Sequence, residues 1–512
     1  MNELFVFGNP DGAGLDEDEL MHGYITNGGS PQASTGNKIG KKHIIVGAKG
    51  AGKTFYLRKI REELSLQKKG YLLDIDREFP MSSQIKAFSR EMPSGNRSEF
   101  WKEIWRMALM RALTSHLLEN SDWNHEDFDE ELTKSLINCR DHLFPEDKVP
   151  MLIGTAIKRI ITEHPEKESI VNYVSKSDWN DLRFNIKKCV KKTENIYFFI
   201  DSIDEEYENN PKFWRFVQEG LFFEMLRLEQ DKPFGDKVQL YVAIRDDIVA
   251  SLVERSQHGI YLGNIQKLSW NWKEMKRFFS FKIQNLDDSL FILDEGEKDI
   301  GRWLSITDIE DIWMGGRVDV MDYILDHTRL LPRDLVEMGN ALAEIKFDQF
   351  DDSETSIEDA VQQCVQDKAR SFGNELASIC ANRLHRELKP FLSRGQGSYS
   401  SDQEYNASPR LVLLNLINDH LSKRMKWGDL EKFEARLHNN MTDKTHSVLN
   451  VLWQSGMIGY LAKSSHGKMT EKFFDGDISG WELPQRKIGY VLRTCVAVAA
   501  DIGIYSADET YK

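Results

Sequence analysis

A glycine-rich segment near the beginning of the chain constrains the fold more than any other sequence feature. It fits the pattern G-x-x-x-x-G-K-[ST], whose glycines let backbone N–H groups curl around phosphate groups. An apolar run precedes it over 43–46, and residues 54–61 repeat apolar side chains at helical spacing. The sequence therefore predicts a buried strand, a phosphate-binding loop and a helix, in that order. The loop consists of Gly47, Ala48, Lys49, Gly50, Ala51, Gly52, Lys53 and Thr54.

The chemistry of this loop depends on its polar side chains and on the helix that follows. The N-terminus of a helix carries partial positive charge, which favours a bound phosphate. Lys53 is predicted to reach the β- and γ-phosphates of a nucleotide, and the Thr54 hydroxyl to bind Mg²⁺. Phe55 follows directly and is included among the predicted nucleotide-binding residues. Without its strand and helix, the same segment would be interpreted as a flexible loop with a chance lysine.

A second landmark is an apolar run over 196–200 that ends in a cluster of acids. This pattern predicts a buried strand with carboxylates at its tip, and carboxylates suit Mg²⁺. Asp201 is the predicted metal ligand, directly or through water. Glu205 is the predicted base that activates the attacking water, with Asp204 as an alternate or helper. The alternative interpretation is an apolar strand followed by a surface acidic turn.

Two further segments supply candidate cationic and lid residues. A strand predicted over 238–244 ends in Arg245, which would sense the γ-phosphate or else pair with neighbouring acids at the surface. The segment 320–345 predicts two helices joined by a turn, with Pro332 at the start of the second helix. Arg333 would then project from the first turn of that helix.

Composition limits the class of protein. At 512 residues the chain predicts two to four domains, and 40% apolar and 29% charged residues are typical of a soluble globular protein. The absence of an apolar run of about 18 residues or a signal peptide predicts a cytoplasmic protein without a membrane partner. The five cysteines have no metal-ligand spacing and are interpreted as buried free thiols. The net charge of −15 argues against wholesale wrapping of nucleic acid but leaves a local basic face open.

The predicted fold class is α/β: a parallel sheet with a helical insertion, followed by a helical lid and a winged-helix-like α+β region. The C-terminal prediction comes from a helix–turn–strand pattern over 448–460 and a basic turn over 463–468, with Lys423, Arg424 and Lys426 adding charge. Such a module binds nucleic acid or docks a protein. The predicted segments are an irregular lead-in (1–40), a core (41–285) with a helical insertion (about 99–190), a lid (286–393) that ends in one long helix (about 356–393), a linker (394–408) and the C-terminal domain (409–512).

With these landmarks in place, the chain resembles the STAND class of P-loop ATPases, which is close to the AAA+ and origin-recognition-like ATPases. The resemblance covers roughly residues 40–345. It implies a core of five parallel strands that binds ATP and Mg²⁺, and it places Pro332 near adenine and Arg333 near the phosphates. The long helical insertion departs from the compact pattern of the class, and no repeat array follows the core. The matching pieces are Lys49–Thr54, Asp201/Asp204/Glu205, Arg245, Trp270/Trp272 and the T-x-x-x-P-R-D turn over 328–334.

The resemblance also implies a biological setting. Members of the bacterial group with this loop and turn are often encoded with nucleases or other effectors in defence against phage. The leading hypothesis is therefore an ATP-hydrolysing switch that forms a homo-oligomer and controls a protein effector. One alternative is a DNA-binding loader that uses the C-terminal domain, and another is a nucleotide-bound scaffold that does not hydrolyse. A small-molecule kinase fits less well, and the lack of an N-K-x-D element disfavours a GTPase.

Overall fold

We describe the protein from a computed structural model. The chain divides into two compact units, one comprising 35–48 and 53–268 and the other comprising 1–34, 49–52 and 269–512. We call them the sheet unit and the helical unit. The division after Leu268 falls earlier than the predicted core boundary at 285, and 409–512 groups with 269–392 instead of forming a unit of its own. The structure describes residues 6–9, 43–68, 70–77, 79–80, 82–92, 97–119, 130–201, 211–232, 234–246, 249, 265–291, 298–311, 313, 315–348, 356–392, 408–438, 447–463, 469–474 and 482–502.

The sheet unit is built on a parallel sheet that has five strands within the described residues. Its order is β2-β3-β4-β1-β5, so β4 lies between β1 and β3. All residues of β1 and β3 are buried, as expected for parallel strands covered on both faces. The α/β class is therefore confirmed. The strands are β1 Ile44–Gly47, β2 Tyr71–Asp76, β3 Ile196–Ile200, β4 Val238–Arg245 and β5 Ile265–Lys267.

Helices cover this sheet and fill the segment between β2 and β3, where the helical insertion was predicted. The first helix, α1, buries Leu57, Ile60 and Leu64 at helical spacing. In α3 the guanidinium of Arg111 is fully buried and bonds Asp147 at 2.9 Å and Glu163 at 2.7 and 2.8 Å. The helices are α1 Lys53–Leu66, α2 Ser82–Glu91, α3 Arg97–Glu119, α4 Glu130–Leu143, α5 Ile153–Glu163, α6 Lys167–Val174, α7 Asp178–Lys192, α8 Pro211–Gln230 and α9 Phe234–Lys237.

Helix α10 of the helical unit opens with a capping box between Asn271 and Glu274. Pro332 is the first residue of α13, as predicted. The single long helix predicted over 356–393 is wrong, because the chain forms α14 and α15 with Leu384 between them. Leu384 has a ψ of 19°, outside the helical range, and is buried with Leu388 in the core. The helices are α10 Trp272–Gln284, α11 Ile300–Leu304, α12 Val320–Asp326, α13 Pro332–Asp348, α14 Ile357–Arg383, α15 His385–Leu392, α16 Pro409–His420, α17 Trp427–His438, α18 Val448–Gln454 and α19 Thr494–Ala499, with a 3₁₀ turn at Asp288–Leu290.

Two small antiparallel sheets complete the helical unit. One is a hairpin, and the other has the order β10-β9-β11-β8. The helix and strand predicted over 448–460 are present as α18 and β9, while 464–468 of the predicted basic turn and 394–407 of the predicted linker lie outside the described residues. The strands are β6 Asp308–Asp311, β7 Gly316–Asp319, β8 Arg424–Met425, β9 Ile458–Lys463, β10 Met469–Phe473 and β11 Tyr490–Leu492.

The described part of the N-terminal lead-in packs into the helical unit. Phe7 is buried, with its ring centroid 5.4 Å from that of Phe279 and 5.0 Å from that of Trp303. Its N–H donates to Oδ1 of Asn340 at 2.8 Å, and Asn340 Nδ2 donates to the carbonyl of Gly8 at 3.1 Å. Phe7 and Gly8 therefore pack against α13.

Two sequence-based statements about side chains need correction. Lys423 does not add surface charge, because it is buried and donates to the carbonyl of Leu492 at 2.5 Å and to Thr494 Oγ1 at 2.9 Å. All five cysteines are free thiols, but Cys139 and Cys364 are partly exposed instead of buried. Long-range packing, which local sequence does not record, decides both outcomes.

The helical unit contains a carboxyl group that makes its stability depend on pH. Burial raises the pKa of Asp326, the last residue of α12, to about 7. Folding therefore takes up a proton between the unfolded pKa, near 4, and pH 7, so stability falls as pH rises through this range. The substitution Asp326→Asn removes this pH dependence. We expect the free energy of unfolding of Asp326→Asn, relative to that of the parent, to increase by roughly 2–3 kcal/mol between pH 5 and pH 8.

Urea unfolding of both proteins at the two pH values measures this difference. The neighbouring His327, whose pKa burial lowers to about 4, is present in both proteins, so the difference between them reports the change at Asp326. An equal effect of Asp326→Asn at pH 5 and pH 8 would contradict the prediction.

Candidate functional site

The predicted phosphate-binding loop connects the end of β1 to the start of α1. Gly50 and Gly52 have φ of 87° and 91°, in the left-handed region that glycine adopts without a Cβ clash. Lys53, the first residue of α1, is buried, and its Nζ donates to the carbonyls of Gly47 and Ala48 at 3.1 Å each. The ammonium group therefore folds back over the beginning of the loop. Thr54 and Phe55 follow in the first turn of α1 and are half-buried.

The carboxyl ends of β2 and β3 place two acids side by side. Asp201 directly follows β3, and its N–H donates to the carbonyl of Asp76, the last residue of β2, at 3.1 Å. The Asp76 carboxylate accepts the N–H of Gly154, in the first turn of α5, at 2.6 Å. Asp201 is buried as well, but its Oδ2 accepts no hydrogen bond from any residue within the described ranges. A buried carboxylate oxygen that accepts no hydrogen bond at a strand tip is a fitting ligand for a hard cation.

Two arginines lie at the same edge of the sheet. Arg245 is the last residue of β4, pairs in register with Gly47 and is buried. Its N–H donates to Oε1 of Gln218, on α8, at 3.5 Å. Arg77, directly after β2, has its Nη2 3.4 Å from Asp201 Oδ2. The sequence singled out Arg245 but missed Arg77, and the only local signal was its position at the end of a predicted strand.

The strand order determines which predicted residues meet. β4 separates β1 from β3, and the register places Asp201 level with Ile45, two residues before Gly47. The Gly47 and Asp201 backbones are therefore expected roughly 11–12 Å apart. Arg245 occupies the intervening strand. The sheet unit thus brings Lys53, Asp201 and Arg245 to one edge, whereas Asp204 and Glu205 lie outside the described residues.

The tip of the loop, Lys49–Gly52, is assigned to the helical unit and contacts residues there. The N–H of Arg333 donates to the carbonyl of Gly50 at 3.4 Å, and Trp270 Nε1 donates to the carbonyl of Ala51 at 3.0 Å. Lys49 Nζ lies 3.3 Å from Oε1 of Glu375, on α14. A Cβ added to Gly50 would lie 3.0 Å from that of Arg333, so the approach of α13 also requires glycine at this position.

A buried cluster of ionised side chains adjoins the contact between Lys49 and Glu375. Arg329 bonds Asp334 through Nε and Nη2, at 3.0 and 2.6 Å, and its Nη1 donates to Glu375 Oε2 at 2.7 Å. Burial alone would raise the pKa of Glu375, yet the charges of Arg329 and Lys49 lower it below its usual value. The Glu375 carboxylate is therefore held ionised between the lid turn and the loop tip. Arg333 itself donates from Nε to Glu337 at 2.7 Å.

The sequence did not identify Arg329, Asp334 or Glu375 as functional. Asp334 belongs to the quoted T-x-x-x-P-R-D turn, so that motif was the available signal for two of the three. Glu375 lies in a helix with no distinguishing pattern. Only the packing of α14 brings it to the loop.

Fold and site together define an α/β protein with a glycine-rich loop at the carboxyl edge of a parallel sheet. Comparison with models of protein families and with curated protein sequences finds no match. Within the described part of the chain, no helix is long and apolar enough to cross a membrane. Nor do His, Cys, Asp or Glu side chains gather there in a group of three or more that could hold a metal ion.

Proposed function

We propose that this chain binds ATP with Mg²⁺ and hydrolyses it slowly, as a switch that controls a partner effector. The observation that carries the proposal is the placement of Lys53, at the end of a glycine-rich loop, on the same sheet edge as the buried Asp201 carboxylate. A cation on the loop and a carboxylate for a metal are the two charges that a Mg²⁺–triphosphate complex requires.

Each residue of the site has one role in ATP binding or hydrolysis. Backbone N–H groups of the loop and the α1 N-terminus would bind the phosphates, and Lys53 would exchange its loop carbonyls for phosphate oxygens. Thr54 and Asp201 would hold Mg²⁺, which neutralises charge on the phosphate oxygens. Arg245, buried beside Gly47, would stabilise charge at the γ-phosphate. Glu205, with Asp204 as helper, is assigned from the sequence alone as the base for the attacking water.

We assign the coupling between ATP binding and the partner effector to the loop tip. Within the helical unit, Lys49–Gly52 contacts Trp270, Arg333 and Glu375, so a triphosphate that reorders the loop tip would change these contacts. Pro332 and Arg333 would contact the adenine and the phosphates, as in the resembled ATPases. ATP binding would reorganise the lid turn and promote homo-oligomer assembly, and hydrolysis would reset it.

The biological role rests on the resemblance to STAND-class ATPases linked to phage defence, in which a nuclease or another protein is the effector. The alternative of a DNA loader uses Arg424, Lys426 and Lys463 as its exposed cations, because Lys423 is buried and 464–468 of the basic turn lie outside the described residues. The scaffold alternative predicts bound nucleotide without turnover.

Glu205→Gln separates hydrolysis from binding. We expect phosphate release by the purified full chain to fall by about 100-fold or more, with ATP affinity within threefold of the parent, because the variant lacks only the base. Isothermal titration with ATP and a phosphate-release assay measure the two quantities. Glu194→Gln is the matched control, since Glu194 is exposed just before β3 begins, at the opposite end of the strand that leads to Glu205.

Parent-level turnover in Glu205→Gln would refute the assignment of the base. A parent chain that binds ATP but releases no phosphate, even with its effector and trigger supplied, would refute hydrolysis and favour the scaffold.

A further inference from the structure

We propose that Arg77 is a positioning residue that holds the Asp201 carboxylate until Mg²⁺ replaces it. This inference rests on the proposed function, because it concerns how the metal enters the nucleotide site. It adds a residue that the sequence did not identify and assigns it a measurable effect on the metal requirement.

Backbone bonding places the two side chains next to each other. The Asp201 N–H donates to the carbonyl of Asp76 at 3.1 Å, which extends the β2–β3 ladder by one residue. Arg77 and Asp201 are thereby fixed on neighbouring strand tips. Asp76 is already engaged with the start of α5 through the N–H of Gly154. The Asp201 carboxylate is thus the acid of this pair that faces Arg77.

The contact between Arg77 and Asp201 is a loose one. Its 3.4 Å separation is longer than a good N–H···O bond. Asp201 Oδ2 and Arg77 Nε are both buried atoms without a hydrogen-bond partner among the residues that the structure describes. Arg77 thus compensates the charge of Asp201 without closing a bidentate bond. In the same unit, Arg111 shows what a structural pair looks like, with bonds of 2.7–2.9 Å to two carboxylates.

Burial differs sharply between the partners. The Asp201 side chain is 3% exposed, so it needs a compensating cation, whereas Arg77 is 34% exposed and retains access to water. Arg77 can therefore move out into water, where its guanidinium regains hydration, whereas the buried Asp201 carboxylate stays in place.

Mg²⁺ and the guanidinium group compete for one oxygen. Two cations within about 4 Å of each other repel, so Mg²⁺ binding at Asp201 displaces Arg77. The displaced guanidinium would remain at the carboxyl edge of the sheet, where its charge would attract the triphosphate. Arg77 should therefore raise the Mg²⁺ concentration needed at Asp201 and support metal-free ATP binding.

The test is a titration of ATP affinity against free Mg²⁺, measured by calorimetry on the full chain. The Mg²⁺ midpoint is the free Mg²⁺ concentration at which half of the effect on ATP affinity is reached. For Arg77→Gln we expect this midpoint to fall about fivefold, which corresponds to about 1 kcal/mol, because Mg²⁺ no longer has to displace Arg77. We also expect ATP affinity in EDTA to fall about threefold. Arg77→Lys keeps the charge and should keep the parent midpoint within twofold. Arg90→Gln, at an exposed arginine in the last turn of α2, is the matched control.

Repeating the titration in the Asp201→Asn variant makes the test specific for the contact between Arg77 and Asp201. In Asp201→Asn the carboxylate charge is gone, so adding Arg77→Gln should leave the Mg²⁺ midpoint unchanged within twofold. An unshifted midpoint in folded Arg77→Gln, or the same fivefold shift in the Asp201→Asn background, would overturn the inference while the proposed function stands. A parent chain that binds no ATP would overturn both.

Discussion

Lys53→Ala is expected to lower the affinity of the chain for ATP by about 100-fold or more. Lys53 Nζ is buried against the carbonyls of Gly47 and Ala48, and a bound triphosphate would replace those neutral acceptors with charged oxygens. Charge-assisted hydrogen bonds in a site with little water contribute more free energy than neutral ones, so the loss of these bonds lowers the affinity for ATP. Calorimetric titration with ATP at saturating Mg²⁺ measures the change.

Lys59→Ala is the matched control for this experiment. Lys59 lies on the same helix and pairs with Glu63, four residues on, at 3.8 Å, a long and partly exposed contact that contributes little. The control should bind ATP within twofold of the parent. Equal affinities of Lys53→Ala and the parent chain would remove the loop from the nucleotide site and with it the proposed function.

Gly373→Ala is expected to destabilise the helical unit by about 3 kcal/mol or more. A methyl group at this position would lie 2.1 Å from the carbonyl oxygen of Cys495 and 2.7 Å from Cβ of Ala499. The first of these contacts is with the backbone, so no side-chain rotation relieves it. Helices α14 and α19 would have to move apart and leave gaps in a densely packed core.

Gly428→Ala provides the opposite outcome from the same chemical change. Gly428 lies in α17, and an added Cβ meets nothing within 4 Å. Alanine there should stabilise by about 0.5–1 kcal/mol through helix propensity. Urea unfolding together with hydrogen exchange of α14 peptides distinguishes the two variants. Parent-like protection of α14 in Gly373→Ala would contradict the close packing of these helices.

The second prediction also bears on the switch. Glu375, which pairs with Lys49, follows Gly373 by two residues on α14. The position of that carboxylate therefore depends on how α14 packs against α19. A nucleotide-dependent change at the loop tip would be transmitted to α14 through the Lys49–Glu375 pair and the Arg329–Asp334 contact behind it.

Local sequence was sufficient for the parts of the fold that are specified by short patterns. Glycines at 50 and 52 take left-handed φ, β3 is a continuous apolar run, and Pro332 begins α13. In each case the cause lies within a few residues: backbone freedom, hydrophobic periodicity or a fixed φ. The predicted metal-ligand side chain, Asp201, follows from the same kind of pattern.

Tertiary structure decided what lies next to these landmarks. Local sequence did not indicate that Arg77 faces Asp201, that Glu375 meets Lys49, that Lys423 is buried or that the helix predicted over 356–393 breaks at Leu384. Each of these depends on residues distant in sequence, because burial and charge compensation are properties of the packed core. The sequence by itself determined a glycine-rich loop between a strand and a helix, and only packing determined which charges surround it.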